Sequence, residues 1–471
     1  MTHADRPSLP PLRVAIIGSG PSAFYAADFL QRQATFDLEI DMFERLPTPY
    51  GLVRGGVAPD HPKIKSVTRA YERTASDPRM RFFGNVEFGR DIRHIDLIRH
   101  YHAIIYAVGA QTDRRLGIPG EDLPGSHAAT EFVGWYNGHP DYCDLSFDLT
   151  QESAVVVGNG NVAMDVARIL ARTYEELHTT DIAPHALEAL RESRIKKIYV
   201  LGRRGPAQAS FTNPEIKELA ELEGADVIVP PEDAKLDTLS RRYVRQADRA
   251  TARNVEIIAE YSRRQPTGKP RQIIMRFLVS PVEILGTERV EAVRVVKNKL
   301  CKSADGTLRP RPTDETEVIP AGLVFRSIGY HGVALPDVPF DEVMGVIPNV
   351  EGRVIEPDGT FRTGEYVVGW IKRGPTGIIG SNKPDALETV ERLLEDASAG
   401  RLLHPPQPSR AGVEELLARR QIRVVTFEDW RRIDAIERER GAAVGRERVK
   451  FTHVEDMLAA LAAPRREPTP S

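Results

Sequence analysis

The sequence predicts an α/β fold built from two strand–turn–helix units, one inserted into the other, with a small antiparallel β element beside them. Three observations carry this reading. A β-branched run, a glycine-rich turn and a helical run follow one another near the start of the chain. The same succession recurs 140 residues later, a domain-scale spacing and not a solenoid period. Each unit also has a later apolar strand that stops at a glycine, Gly109 in the first and Gly329 in the second.

The elements follow in order. Val14-Ala15-Ile16-Ile17 reads as a strand, Gly18-Ser19-Gly20-Pro21-Ser22-Ala23 as a tight turn, and Phe24 to Leu30 as a helix. A second strand from Leu38 to Phe43 ends at Glu44, which completes a βαβ unit. Downstream, Ala154-Val155-Val156-Val157 leads into Gly158-Asn159-Gly160-Asn161-Val162-Ala163 and a helical run from Met164 to about Leu177. The strand Lys197 to Leu201 then ends in Gly202-Arg203-Arg204-Gly205. Residues 236–253 read as one basic helix, and alternation from Val282 to about Val296 predicts strands of an antiparallel meander. A proline-rich joint at 404–408 precedes helical C-terminal sequence, and Arg465 to Ser471 reads as a disordered end.

Each glycine turn follows a strand and opens a helix, which sets backbone N–H groups and the positive end of a helix dipole beside a pyrophosphate. Two such contexts in one chain predict two Rossmann-like sites for two dinucleotides. In the first, the Glu44 carboxylate accepts hydrogen bonds from ribose hydroxyls, as suits FAD or NAD. In the second, Arg203 and Arg204 present paired guanidiniums suited to a ribose 2′-phosphate, which a carboxylate would repel. That reads as NADP(H).

Bulk properties exclude several other classes. The 471 residues correspond to roughly three domain-sized units. Lys+Arg 64 against Asp+Glu 67 gives a net charge of −3, with 41% hydrophobic and 28% charged residues, so neither nucleic-acid nor membrane-surface electrostatics is indicated. No apolar run approaches the length of a membrane span, and the opening residues lack the apolar core of a signal peptide, which predicts a cytoplasmic protein. The only two cysteines, Cys143 and Cys301, form no CxxC and no ligand cluster, so no metal is expected and redox chemistry is left to an organic cofactor.

Longer motifs carry a family resemblance. The stretch from Pro49 to Lys65, PYGLVRGGVAPDHPKIK, resembles the signature loop of the adrenodoxin reductase-like ferredoxin–NADP⁺ reductases. So do Phe132 to Asn137, Gly202 to Pro206, Phe211-Thr212, Val368 to Gly380 and Glu428-Asp429-Trp430, which together cover nearly the whole chain. With no added ferredoxin domain and no presequence, the chain is similar to a stand-alone bacterial member. The resemblance implies FAD in the first unit and NADP(H) in the second, with electrons relayed to a small iron–sulfur protein. It implies that Ser22, Glu44, Leu52 and Val86 touch FAD, alongside the turn residues Gly18, Gly20, Pro21 and Ala23. Trp370, Gly377, Ile378 and Ile379 would flank the flavin ring, with Gly377 near the nicotinamide. Asn159, Gly160, Asn161, Val162, Arg203, Arg204 and Glu215 would contact NADP(H), with Arg114 a further candidate on the connection between domains. The FAD domain is then expected to combine residues 12–113 with 332–471, and the NADP domain to occupy 114–331.

Hydride transfer between nicotinamide and flavin is positional catalysis and requires no obligatory acid or base. His61 and Glu215 are the candidates for proton traffic and nicotinamide positioning, expected to pair and to shift each other's pKa. Arg241, Arg245, Arg249 and Arg253 recur every four residues, with Arg242 at the edge, and on a single helix they form one stripe that suits an acidic ferredoxin. Competing readings lack their signatures. A thioredoxin or glutathione reductase needs a redox-active cysteine pair, a flavin monooxygenase its own linker motif, and a glutamate-synthase-type electron-delivering subunit its cysteine-ligated clusters. A non-catalytic NADPH sensor is opposed by the Trp370 to Gly380 block.

Overall fold

The computed structural model describes residues 11–463, so the expectation of a disordered end from Arg465 to Ser471 lies outside the described residues. Two sheets organise the chain. The first has seven strands in the order Asn349–Val350, Arg353–Ile355, Phe361–Val367, Ala103–Tyr106, Leu12–Ile17, Leu38–Glu44, Met80–Gly84. Its last five strands are parallel. The second has six parallel strands in the order Ser126–Ala128, Leu323–Arg326, Ser153–Val157, Lys197–Gly202, Arg271–Phe277, Ala225–Ile228.

Parallel strands are covered on both faces, and the side chains show it. In the first sheet Val14 and Ile16 enter one core while Ala15 and Ile17 enter another, because successive side chains point to opposite faces. In the second, Ala154 and Val156 pack under helices, and Val155 and Val157 pack under Val279, Ile284, Val293, Val295 and Ile319. Those residues lie on or beside the antiparallel strands Val279–Leu285, Ala292–Lys302 and Leu308–Pro320. The antiparallel element therefore takes the place of helices on one face of the second sheet. Each fully buried valine or isoleucine there contributes about 2 kcal/mol by leaving water.

The chain passes between the sheets twice at one place. Thr112–Asp113 leads out of the first sheet and Tyr330–His331 leads back, and the two segments pair antiparallel with Tyr330 opposite Asp113. A two-stranded ribbon thus joins the two sheets.

Two helices end earlier than the sequence suggests. The run beginning at Met164 stops at Ala171, and Thr173 caps a separate turn, Tyr174–Leu177, accepting from the Glu176 N–H at 3.2 Å while its own N–H donates to the Glu176 carboxylate at 2.8 Å. The basic segment is likewise two helices, Thr238–Gln246 and Arg249–Tyr261. Asp248 accepts from the Thr251 N–H at 2.8 Å and starts the second, so the single arginine stripe is corrected to two short ones, Arg241 with Arg245 and Arg249 with Arg253.

Candidate dinucleotide and redox site

The first glycine turn is shaped by backbone contact. Gly18 has φ +102°, and a Cβ there would stand 2.5 Å from the Ala107 carbonyl oxygen, so no other residue fits. Gly20 precedes the helix Pro21–Arg32 without a side-chain cap, and the space a Cβ would take above it is empty. The first N–H groups of that helix are thereby left to an outside anion. Glu44 accepts from Ser19 Oγ at 2.6 Å and from the Leu46 N–H at 3.1 Å, which fixes its carboxylate at the strand end. Burial raises its pKa against the lowering effect of those donors. Ser22 is buried at the helix start, beside Ala23. Val86 donates its N–H to the Glu44 carbonyl at 2.9 Å, while its side chain lies in the core with Phe43 and Phe83.

The loop beginning at Pro49 folds directly over this turn. Tyr50 N–H donates to the Ser19 carbonyl at 3.0 Å, and a Cβ on Gly51 would lie 3.0 Å from the Gly20 Cα. Tyr50 itself holds φ +86°, a strained value for a non-glycine residue. What holds it comes from the far end of the chain: Trp430 meets the Tyr50 ring edge-on at 5.7 Å and lies under the Arg54 guanidinium at 5.0 Å. Arg54 in turn pairs with the buried Glu437 at 2.5 Å. The Glu428-Asp429-Trp430 motif is thus a brace for the loop. Leu52, half-buried, lies within that loop.

The second turn repeats the first with different partners. Gly158 has φ +127°, and a Cβ there would collide with the Ser327 carbonyl oxygen. Gly160 precedes the helix Asn161–Ala171, again without a side-chain cap and with open space above it. Asn161 accepts from the Thr212 N–H at 2.9 Å through Oδ1, which ties the Phe211-Thr212 segment to the turn, and Val162 packs partly buried on the core. Asn159 Nδ2 and Gln208 Oε1 are buried without a hydrogen-bond partner, a donor and an acceptor that a nucleotide would satisfy. Arg203 and Arg204 form no ion pair among the described residues, although both stand at the strand end. Burial and then the neighbouring Arg203 lower the pKa of Arg204. Two adjacent guanidiniums without an acid fit a dianion, and the residues present fit a 2′-phosphorylated dinucleotide.

At the expected flavin face, Trp370 follows Gly369, and a Cβ on Gly369 would fall 2.5 Å from Ser22 Oγ, so this segment seats against the first turn. The indole is half-buried, donates Nε1–H to the Thr376 carbonyl at 3.2 Å and lies 5.2 Å from the Tyr330 ring. Gly377 has φ +82°, and next to it Ile378 is 60% exposed while Ile379 is half-buried. An exposed isoleucine beside an indole and bare glycine backbone fits a flat aromatic ring such as a flavin.

A buried charge cluster joins the two sites. Arg168, on the helix that starts at the second turn, binds Asp60 of the signature loop at 2.6 Å, Asp165 at 2.7 Å and Glu215 at 3.2 Å. Arg172 also reaches Asp60 at 2.6 Å. Burial opposes ionisation of Asp60, but Arg168 and Arg172 outweigh it and hold the carboxyl well below the usual range. Glu215 is pushed up to about 7 by burial and by the neighbouring Asp165 charge. The expected pairing of His61 with Glu215 is corrected here. His61 Nε2 is 2.7 Å from Glu218 Oε2, while Glu215 turns to Arg168 and stays within 4.8 Å of the other two. Arg114 is exposed on the connecting ribbon, its N–H on the Gly329 carbonyl at 3.0 Å, away from these contacts.

Comparison with known proteins finds relatives along nearly the whole chain. The pyridine nucleotide-disulphide oxidoreductase family matches residues 12–200. NADPH-ferredoxin reductase FprA of Mycobacterium tuberculosis is 48% identical over 456 residues, spanning 95% of this chain and 98% of that protein. The chain belongs to the adrenodoxin reductase-like ferredoxin–NADP⁺ reductase family. Within that family, human mitochondrial NADPH:adrenodoxin oxidoreductase is 41% identical over 462 residues, 95% of this chain and 92% of the human one. The solved structure of Mycobacterium tuberculosis FprA in complex with NADPH superposes with a TM-score of 0.91, at 46% identity, covering 96% of this chain and all of the other.

Two residues of the site escape sequence reasoning. Glu218 is the carboxylate on His61, and its only signal is its place three residues after Glu215, on the same face of the helix Asn213–Glu218. Asn298, buried in a long strand, donates through Nδ2 to the Arg203 carbonyl at 2.9 Å and to Ser280 Oγ at 2.8 Å, fixing the backbone of the arginine turn. A lone asparagine 95 residues away carries no sequence signal for that role.

Proposed function

We propose that the chain is an NADPH:ferredoxin oxidoreductase that holds FAD at the first glycine turn and NADP(H) at the second. The observation that carries this reading is the grip of Asp60 on Arg168 at 2.6 Å. It fastens the helix of the second turn to the loop that lies on the first, so that two dinucleotides bound at the turns meet at one seam. FAD held there would supply the coupling of a two-electron nicotinamide donor to a one-electron iron–sulfur acceptor.

The residues of the chain position and discriminate. Residues 12–113 with 332–471 form the FAD-binding unit in this reading, and 114–331 the NADP-binding unit. The helix begun by Pro21, Ser22 and Ala23 receives the FAD pyrophosphate, and Glu44 accepts from its ribose. Leu52, Val86 and the Trp370 to Ile379 segment line the remainder and keep water from the ring. Asn159, Gly160, Asn161 and Val162 receive the NADP(H) pyrophosphate, while Arg203 and Arg204 bind its 2′-phosphate. Arg114, exposed on the connecting ribbon, is a further candidate contact for NADP(H). His61 holds a proton at Nε2 against the Glu218 carboxylate. Glu215, with its pKa raised to about 7, keeps its proton up to neutral pH and positions Arg168.

The electron acceptor is an acidic ferredoxin docking on Arg241, Arg245 and Arg249. All three are exposed and form no ion pair among the described residues. Opposite charge speeds such an encounter without making it tight. The two free cysteines suit a reducing compartment, and we assign the protein to the cytoplasm. No helix of the described residues is long and apolar enough to cross a membrane.

The test is a visible spectrum followed by ferricyanide reduction with NADPH and with NADH. Flavin bands and a strong preference for NADPH support the proposal. A colourless protein that does not take up FAD, or equal use of both nucleotides, would overturn it.

A further inference from the structure

The two cysteines are far apart in sequence, yet the fold sets one of them in a different kind of cluster. Cys143 and Asp144 lie in the turns that follow the helix Ala129–Asn137, and His453 directly precedes the helix Val454–Ala462. The two segments touch: a Cβ on Gly138 would stand 3.0 Å from Thr452 Cγ2. Cys143 Sγ is 3.6 Å from His453 Nε2, and the same Nε2 is 3.1 Å from Asp144 Oδ1. All three ligand atoms fall within 4.8 Å of one another.

We propose that Cys143, Asp144 and His453 form an open binding site for one zinc-like divalent cation. With Zn–S near 2.3 Å and Zn–N and Zn–O near 2.0–2.2 Å, a tetrahedral ion separates its sulfur and nitrogen ligands by about 3.5 Å and its nitrogen and oxygen ligands by about 3.3 Å. The observed separations of 3.6 and 3.1 Å lie close to both, and the remaining sulfur–carboxylate pair lies within 4.8 Å. A thiolate, an imidazole and a single carboxylate select zinc over the hard cations magnesium and calcium. The imidazole is already oriented for the task. Its Nδ1 faces Thr452 Oγ1 at 3.1 Å and Asp456 Oδ2 at 3.9 Å, which leaves Nε2 to the cluster, the outer support that metal-bound histidines use.

Burial grades across the site. Cys143 is 7% exposed, whereas the side chains of His453 and Asp144 are 44% and 84% exposed. The sulfur therefore forms the floor, and the fourth position opens to water. Binding replaces protons: the Cys143 thiol, which points at the Pro140 carbonyl 3.3 Å away, releases its proton to solvent as the zinc–sulfur bond forms. The ion would tie the last described helix to the connection between the strands Ser126–Ala128 and Ser153–Val157 of the second sheet. Lys450 and Arg446 already fasten the same stretch, Lys450 to Asp181 at 3.1 Å and Arg446 to the Thr180 carbonyl at 3.1 Å. The cluster of His61, Glu215 and Glu218 has no sulfur and belongs to the redox site, so the two are separable by mutation.

The experiment is a calorimetric titration of chelator-treated holoenzyme with zinc alone, repeated on His453→Ala and Asp144→Asn. Both side chains are largely outside the core, so both variants keep the fold. One equivalent binding in the micromolar range is expected, weakened at least about tenfold in each variant. Cobalt in place of zinc is expected to add a thiolate-to-metal absorption band in the difference spectrum against metal-free holoenzyme. Absence of binding, binding unchanged in both variants, or cobalt binding without that band would each overturn the site.

Discussion

His61 and Glu218 meet at 2.7 Å, although 157 residues separate them in sequence. One stands in the loop that lies on the first glycine turn, the other on the short helix Asn213–Glu218 that leans on the second. Around this contact Arg168 gathers the neighbouring carboxylates, holding Asp60, Asp165 and Glu215 at 2.6–3.2 Å and standing 3.9 Å from the Glu218 oxygen that meets the imidazole. The seam between the sites is therefore held by a set of charges whose members have different tasks.

Replacing the two glutamates should give different results. Glu218→Gln removes the carboxylate that orients His61 at the seam, and a loss of positioning that raises the barrier by about 1.4 kcal/mol lowers the rate of flavin reduction by NADPH roughly tenfold. Glu215→Gln mimics a carboxyl whose pKa is already raised to about 7 from the ordinary 4.5. Below that pH the variant should match the parent, and above it the two should diverge. The sign follows for stability as well. Between 4.5 and 7 the unfolded chain gives up a proton that the folded chain retains, so this group's contribution weakens as pH rises, and the variant should lose that slope. Stopped-flow reduction and urea midpoints on either side of neutrality check both; identical pH profiles would contradict the assignment.

Arg203 and Arg204 act on the 2′-phosphate alone in this account. The Arg203→Ala, Arg204→Ala double variant should raise KM for NADPH by about 10–100-fold, the equivalent of one or two charge-assisted hydrogen bonds, and leave KM for NADH nearly unchanged. A matching rise for both nucleotides would place the arginines elsewhere.

The glycines of the second turn offer a sharper separation. A Cβ on Gly158 would strike the Ser327 carbonyl, so Gly158→Ala should lower stability by several kcal/mol through backbone strain and displacement. Above Gly160 the space is open. Gly160→Ala should keep the melting temperature of the cofactor-free NADP site and still weaken NADPH binding, because the methyl occupies the approach of the pyrophosphate. Equal NADPH affinity in Gly160→Ala and the parent would refute that geometry.

The docking face is testable through charge. Reversing Arg245 and Arg249 together should raise the apparent KM for ferredoxin and flatten its dependence on salt, with ferricyanide reduction unaffected. Because Asp248 separates the two helices, the Arg241/Arg245 and Arg249/Arg253 pairs should contribute independently. Unchanged kinetics with ferredoxin would remove this face from the account.

Much of this was legible in the sequence because its signals are local. A strand, a glycine turn and a helix occupy about twenty consecutive residues, so Gly18 to Glu44 and Gly158 to Val162 announce themselves by spacing. Arg203-Arg204 is equally local, standing where a strand ends. The helix break at Ala247 was also written locally, since Asp248 three residues before Thr251 is a cap, but the four-residue recurrence of arginine hid it. The rest depends on distance. Whether Glu215 or Glu218 reaches His61 is decided by how a remote loop lands on a helix face that displays both. Asn298 reaches Arg203 across 95 residues, and Cys143 reaches His453 across 310. No periodicity encodes such meetings; only the register of the packed sheets does.

The most direct measurement is cytochrome c reduction by the purified flavoprotein with NADPH, with and without an acidic ferredoxin. The expected rate saturates with ferredoxin, falls as salt rises, and is far lower with NADH. Rapid ferricyanide reduction with no ferredoxin-dependent rate would contradict the assignment of an iron–sulfur protein as acceptor.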